Sequence, residues 1–354
     1  MAVEPVEISR AIEGLRSDQL VLFDVRSPSE FMAGHILGAI NMPLLNDDER
    51  KQVGIEFKHK GQQDAVKLGF DLVGGRFGAL ASEARRVAGE KQAMVYCWRG
   101  GMRSSIVAWI FDLAGIRVAQ LQGGYKAWRG WCYERFENPG TLLLLSGMTG
   151  TGKTEILHEL VALGEPVLDL EKIAHHKGSV FGGLGQESQP TQEHFENELG
   201  WMIGTLNESG PIWVEDESRF IGKVRLPDSF FLHLFAAPEV EIIRSQQGRI
   251  ERIVREYASF PVDDLIERTE IIRKRLGGEQ VQNAVNFLRN KETSEWAAIL
   301  LHYYDKTYLH TQEVRRKDKR SQSVARLNVD HLQASECAMQ LKSISQSMFV
   351  PSYE

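Results

Sequence analysis

The chain has 354 residues, 42 Lys and Arg against 48 Asp and Glu, and a net charge of −6. At about 150 residues per domain this length predicts two domains, and 42% hydrophobic with 25% charged residues excludes a disordered, collagen-like or mucin-like chain. The three cysteines, Cys97, Cys132 and Cys337, are too few and too scattered for a disulfide framework or a thiolate zinc site, and the mild acidity excludes a protein that coats nucleic acid over its whole surface.

The segment Met1–Arg10 lacks the basic and apolar regions of a secretory signal, and the longest aliphatic run, Leu142–Leu145, is far too short to span a membrane. A cytoplasmic protein with no membrane partner is therefore expected. Leu20–Val25 and Met94–Cys97 read as buried strands. Arg76–Ala88 carries Phe77, Leu80, Ala84 and Val87 at helical spacing, and Ser105–Leu113 repeats the pattern. Strand alternating with helix predicts a parallel α/β sheet. Between Asn41 and Met94 lies a long stretch with a polar region, Asp47–Asp64, to which the residues assign no role.

Trp131–Gly140 loses periodicity and ends in Asn138-Pro139-Gly140. It predicts a linker at 134–140 between a domain at 1–133 and another at 141–354. The second opens with a strand at Leu142–Leu145 and continues with strands expected at Pro166–Leu170, Ile212–Glu215 and Phe230–Phe235. Helices are expected at Glu239–Tyr257, Asp263–Leu276 and Ser294–Tyr308, then an edge strand at Val324–Val329 and a closing helix at Leu332–Met348. The class is α/β twice over: a parallel-sheet domain, then a phosphate-loop α/β domain with a helical C-terminal part.

Tyr96-Cys97-Trp98-Arg99-Gly100-Gly101-Met102-Arg103-Ser104 sits between a strand and a helix. Such a loop turns successive N–H groups inward at the positive end of the helix dipole, a field that favours a thiolate at Cys97. Arg103, with Arg99, adds positive charge. The candidate catalytic residues are Cys97 and Arg103, with Trp98, Arg99, Gly100, Gly101, Met102 and Ser104 as the anion cradle. Cys132 and Cys337 lack such surroundings and read as structural. Cys-x5-Arg-Ser also describes a cysteine phosphatase, although such enzymes usually have His where this chain has Tyr96.

Gly147-Met148-Thr149-Gly150-Thr151-Gly152-Lys153-Thr154 satisfies G-x4-G-K-[ST] between a strand and a helix. The glycines let the backbone curl around phosphate oxygens, Lys153 supplies a point charge, and Thr154 can hold Mg²⁺ when a metal–nucleotide binds. The loop names the anion and not the reaction. Glu215 or Asp216, ending a later strand, stands as a candidate acid near the metal position. No resident metal is expected from the sequence. Arg249, Arg252 and Arg255 recur every three residues, and Arg315 and Arg316 open a run with five basic residues in six. Both groups can contact nucleic-acid phosphates, the arginines of the 244–255 stretch can close over a nucleotide or diphosphate as a lid, and both groups can equally be paired on a solvated face.

The first third resembles a rhodanese (sulfurtransferase) domain. The resemblance rests on Asp24-Val25-Arg26 with Glu30-Phe31, Gly34-His35-Ile36 with Gly38-Ala39-Ile40-Asn41, the Cys97 loop, and Leu121-Gln122-Gly123-Gly124-Tyr125 with Ala127-Trp128. Joined to a phosphate-loop domain carrying Asp169-Leu170-Glu171 and His176-Lys177-Gly178-Ser179, it resembles the bacterial tRNA 2-selenouridine synthases over nearly the whole chain. The resemblance implies replacement of sulfur by selenium in wobble 2-thiouridine of tRNA, with selenophosphate as donor and geranylation of the sulfur by geranyl diphosphate. It also implies a selenophosphate-producing enzyme as partner, and no tightly bound cofactor. On this reading Cys97 carries selenium and the Gly147–Thr154 loop holds the diphosphate. A sulfurtransferase fused to an ATP-dependent kinase or adenylating domain, a cysteine phosphatase and a non-catalytic binding module stand as the alternatives.

Overall fold

The computed structural model describes residues 3–206, 210–317 and 323–349. The chain divides into two compact units, Met1–Glu134 with Glu196–Trp201, and Arg135–Phe195 with Met202–Glu354.

The first unit is built on five strands: β1 (Glu4–Val6), β2 (Leu20–Asp24), β3 (Ile40–Asn41), β4 (Gln92–Tyr96) and β5 (Val118–Leu121). They lie in the order β1-β5-β4-β2-β3, and every pairing is parallel. Central β4 reads Gln-Ala-Met-Val-Tyr, with its last four residues buried, because helices cover both faces of a parallel sheet. Asp24 pairs with Tyr96 in the β2–β4 register. Asp24-Val25-Arg26 and the Cys97 loop therefore emerge together at the carboxyl edge, where α/β sheets place their ligands.

The helix Gly124–Glu137 runs through most of the expected linker 134–140. Its tail is held by burial: Trp128, Trp131, Cys132 and Phe136 are all in the core, and Trp128 stacks on Trp131 at 5.3 Å. Mixed aromatic and charged composition hides that face from a periodicity reading.

In the second unit the strands are β6 (Leu142–Ser146), β7 (Val167–Leu168), β8 (Ile212–Glu215), a short antiparallel pair β9 (Phe220–Ile221) and β10 (Val224–Arg225), β11 (Glu239–Ile243) and β12 (Ser323–Asn328). The main sheet has the order β12-β11-β6-β8-β7, again wholly parallel, with β12 at the edge as expected.

Four expected elements change, the helix expected at Asp263–Leu276 being broken at Ile272 into Val262–Ile271 and Arg273–Leu276. Phe230–Phe235 is helical within Asp228–Ala236, burying Phe230 and Leu234 one turn apart after Pro227. Glu239–Ile243 is the strand β11, and the helix begins only at Gln246, where the Ser245 side chain accepts from the Gly248 N–H. The charged composition of Glu239–Tyr257 favours a helix from its first residue, but pairing of β11 with β6 and β12 on its two sides overrides that local preference. The strand expected at Pro166–Leu170 stops at Leu168, because Asp169 caps the helix Leu170–Ala174. Helices at Val262–Ile271, Arg273–Leu276, Gly278–Arg289 and Thr293–Lys317 complete a second core around Phe181, Ile253, Leu265 and Trp296.

Candidate functional site

The Cys97 loop is held from three directions. Tyr125 and Lys126 N–H groups donate to the carbonyls of Cys97 and Trp98, each at 2.9 Å. Gln120 Nε2 donates to Gly100 O at 2.7 Å and to Ser104 Oγ at 2.9 Å. Gly100 has φ +65, and a Cβ there would meet Leu121 O at 2.6 Å; a Cβ on Gly124, at φ +58, would run into Cys97 O and Gly100 N. These contacts give the Leu121–Tyr125 motif its physical reason: it is the wall against which the cysteine loop closes.

Cys97 Sγ lies 3.2 Å from Ser104 Oγ, and the residue is only 4% exposed. The N–H groups of Trp98, Arg99, Gly100 and Gly101 donate to no backbone carbonyl among the described residues. Trp98 and Met102 stand exposed at the rim.

Arg103 does not stand as a free cation at the sulfur, as the sequence suggested. It pairs with Glu30 at 2.6 and 3.2 Å. Burial alone would raise the Glu30 carboxyl, but Arg103 brings it down to about 2. The pair links the loop to the helix Pro28–Ala33 and makes Arg103 a positioning residue.

Below the loop, Arg26 and Asp24 form a fully buried pair at 2.6 Å, and Arg26 also donates to Gly34 O at 2.6 Å. Asn41 Nδ2 donates to the carbonyls of Asp24 and Arg26, each at 3.0 Å. Tyr96, where a phosphatase would usually carry His, is fully buried and its hydroxyl accepts from the Ile36 N–H at 3.2 Å.

In the second unit the phosphate loop curls from β6 into the helix Lys153–Ala162. Gly147, Gly150 and Gly152 have positive φ, and Lys153 Nζ donates to Gly147 O at 2.7 Å. Thr151 and Met148 close on each other, with Thr151 Oγ1 donating to Met148 O at 2.8 Å. Thr149, Lys153 and Thr154 line a cavity of about 600 Å³. Beyond the loop its wall combines charged side chains with an apolar and aromatic group, Phe181, Tyr257, Trp296, Leu300, Tyr304 and Tyr308. Trp296 is pinned there, its Nε1 donating to Thr269 Oγ1 at 3.1 Å.

The two candidate acids separate. Glu215 is 2% exposed and accepts from the Glu171 N–H at 2.9 Å, so it braces the neighbouring helix instead of facing the cavity. Asp216 lines the cavity, as do Glu171 and Glu217, two acids that are not among the site residues expected from the sequence. Glu171 accepts from Thr154 Oγ1 at 3.1 Å. Burial, then the charge of Glu171, pushes Glu217 up to about 8; burial also raises Glu171, against the pull of Lys153. The only signal for Glu217 in the sequence is the acidic run Glu215-Asp216-Glu217 after an apolar strand.

The arginine row turns inward. Arg249 is 5% exposed, bound to Asp305 at 2.7 and 2.8 Å, with a longer contact to Thr149 O at 3.4 Å. Arg244 Nε donates to Thr151 O at 3.1 Å. Arg252 pairs with Glu155, and its guanidinium lies where a Cβ on Gly152 would reach. Arg249 is thus a prop beneath the phosphate loop and not a tRNA contact; Arg252 and Arg255 line the cavity, consistent with a role over a bound anion. Arg315 and Arg316 fall in the last turn of Thr293–Lys317, and their side chains lie outside the described residues.

Among the described residues no helix is long and apolar enough to cross a membrane. A family model described as a rhodanese-like domain matches residues 7–130, and one described as the tRNA 2-selenouridine synthase AAA domain matches 140–337. A curated tRNA 2-selenouridine synthase of Nitrosomonas europaea is 35% identical, over 88% of this chain and 94% of the relative. One from Marinobacter nauticus is 38% identical, over 81% of this chain and 87% of its own length. The solved N-terminal domain of a putative ATP/GTP binding protein from Clostridium difficile 630 aligns with 36% of this chain and 98% of its own, at 36% identity and a TM-score of 0.34. With both of its halves matched and its relatives covered almost end to end, the chain belongs to the tRNA 2-selenouridine synthase family.

Proposed function

We propose that this enzyme exchanges sulfur for selenium in the wobble 2-thiouridine of tRNA in two steps. Geranyl diphosphate first alkylates the sulfur, and selenium drawn from selenophosphate then displaces the geranylthiolate. The observation that carries this reading is the second unit's cavity, which the phosphate loop lines together with the apolar and aromatic side chains of Phe181, Tyr257, Trp296, Leu300, Tyr304 and Tyr308. An allylic diphosphate would use both, its diphosphate meeting the loop and its hydrocarbon chain the apolar side chains. The loop amides and Lys153 would stabilise the pyrophosphate as its C–O bond breaks. The ring faces would stabilise positive charge on the allyl fragment.

No group of three His, Cys, Asp or Glu side chains placed to hold a metal is found among the described residues. Mg²⁺ is commonly held by one or two protein oxygens plus substrate phosphates; Thr154 and Asp216, which line the cavity, are the residues that would meet it.

Alkylation makes chemical sense as the first step, because a thioether sulfur leaves the pyrimidine carbon more readily than a thiocarbonyl sulfur. On this reading Cys97 and its loop carry selenium as bound selenophosphate, the loop N–H groups holding the anion. The selenium attacks the pyrimidine carbon as the geranylthiolate leaves, and water then cleaves the P–Se bond to release phosphate. An enzyme producing selenophosphate is the implied partner, and the cytoplasm the implied compartment.

The test is mass spectrometry of nucleosides from tRNA incubated with the protein, selenophosphate and geranyl diphosphate. Both geranylthiouridine and selenouridine are expected. ATP turnover with neither product would favour the fused kinase or adenylating reading instead.

A further inference from the structure

The stretch between Asn41 and Met94 forms two successive helices with an apolar groove beside them. Asp47–Lys60 starts at Asn46, whose side chain accepts from the Glu49 N–H at 2.9 Å while Glu49 accepts in return from the Asn46 N–H, also at 2.9 Å. Gly61, at φ +91, breaks the chain before Gln62–Val73. The first helix buries none of its residues. Val53 and Phe57 of the first helix and Val66 and Phe70 of the second line a groove of about 360 Å³. Its remaining wall includes Met102 and Ile106 of the helix that begins where the Cys97 loop ends.

The groove is within the span of about 300–1000 Å³ typical of small-ligand pockets. Arg103 is the one charged residue in its lining, and Glu30 already pairs with it. Phe57 and Phe70 remain 56% and 46% exposed, a cost in water that an apolar ligand would remove. A polar nucleotide finds almost nothing there to bond. The groove is continuous with the Cys97 loop through Met102, so its occupant lies beside whatever is presented to the sulfur.

We propose that this groove holds the ten-carbon chain of S-geranyl-2-thiouridine while the modified base is presented to Cys97. The inference rests on the two-step reading above. It gives the inserted helices a function, which is to retain an intermediate whose distinguishing feature is a hydrocarbon tail and to discriminate it from unalkylated 2-thiouridine.

The experiment compares anticodon stem-loop RNAs carrying 2-thiouridine or its S-geranyl derivative, bound to the full-length protein and to Phe70→Asp and Phe70→Leu. The wild type is expected to prefer the geranylated RNA. Phe70→Asp should reduce that preference by about tenfold or more, through loss of apolar burial, with an unchanged melting temperature and an unchanged rate of geranyl transfer from geranyl diphosphate. Phe70→Leu should retain the preference. If the wild type forms geranylated RNA but Phe70→Asp keeps the full preference, the groove serves another occupant, such as a protein segment, and the proposal is overturned. If the wild type makes no geranylated RNA at all, the two-step reading itself fails and takes this assignment with it.

Discussion

At the residue scale the two loops use charge differently. Around Cys97, Arg103 is already engaged by Glu30, and the N–H groups of Trp98 to Gly101, which donate to no backbone carbonyl among the described residues, are left to meet an anion. Replacing Cys97 by Ala is expected to lower selenation by at least about a thousandfold, with geranylated tRNA accumulating in the nucleoside mass spectrum. At the phosphate loop, Glu217 with its carboxyl pushed up to about 8 is mostly protonated at neutral pH. The direction of the pH effect follows: raising the pH through this value ionises Glu217 and adds negative charge to an anion site. Without divalent ions, pyrophosphate affinity measured by calorimetry should fall by about tenfold between pH 7 and 9, and Glu217→Gln should flatten the profile. An identical slope in the variant would assign the titration to another group.

Elements explain why one arginine reads differently from its neighbours. The helix Gln246–Tyr257 presents Arg249 to Asp305 on Thr293–Lys317, with Thr149 O of the phosphate loop also in contact. Removing one partner of a buried pair leaves an uncompensated charge. Asp305→Ala should therefore destabilise the protein by about 3 kcal/mol, near the low end for such pairs because Asp305 is partly exposed. Urea unfolding reads this effect directly. Arg249→Met, which removes the charge and keeps the volume, should cost less. If both variants unfold at the wild-type midpoint, the pair is not a prop.

For the whole molecule, the two anion sites belong to separate compact units, so their losses should be separable. Lys153→Ala is expected to lose geranyl transfer by at least about a hundredfold. Geranylated tRNA made by the Cys97→Ala protein, repurified and given to Lys153→Ala protein with selenophosphate, should yield selenouridine. Failure of this relay, with each variant folded, would mean that one chain must carry both steps on a tRNA it never releases.

Much of this organisation is local and so is legible in the sequence. A cysteine loop between a strand and a helix, and a G-x4-G-K-[ST] loop in the same context, are short contiguous motifs whose backbone demands are written in adjacent residues. Parallel α/β architecture likewise follows from alternating apolar runs and helical periods. Only the tertiary structure decided the rest, because it depends on partners far along the chain. Glu239–Ile243 is a strand because β6 and β12 flank it, whatever its charged neighbours suggest. Gln120 and Glu30 shape the cysteine loop from 16 or more residues away. Arg249 faces inward because Asp305 is there, 56 residues later. Helical spacing could name the residues of the inserted helices and of the aromatic wall, but packing alone determines which apolar faces are filled by protein and which are left open as a groove or cavity.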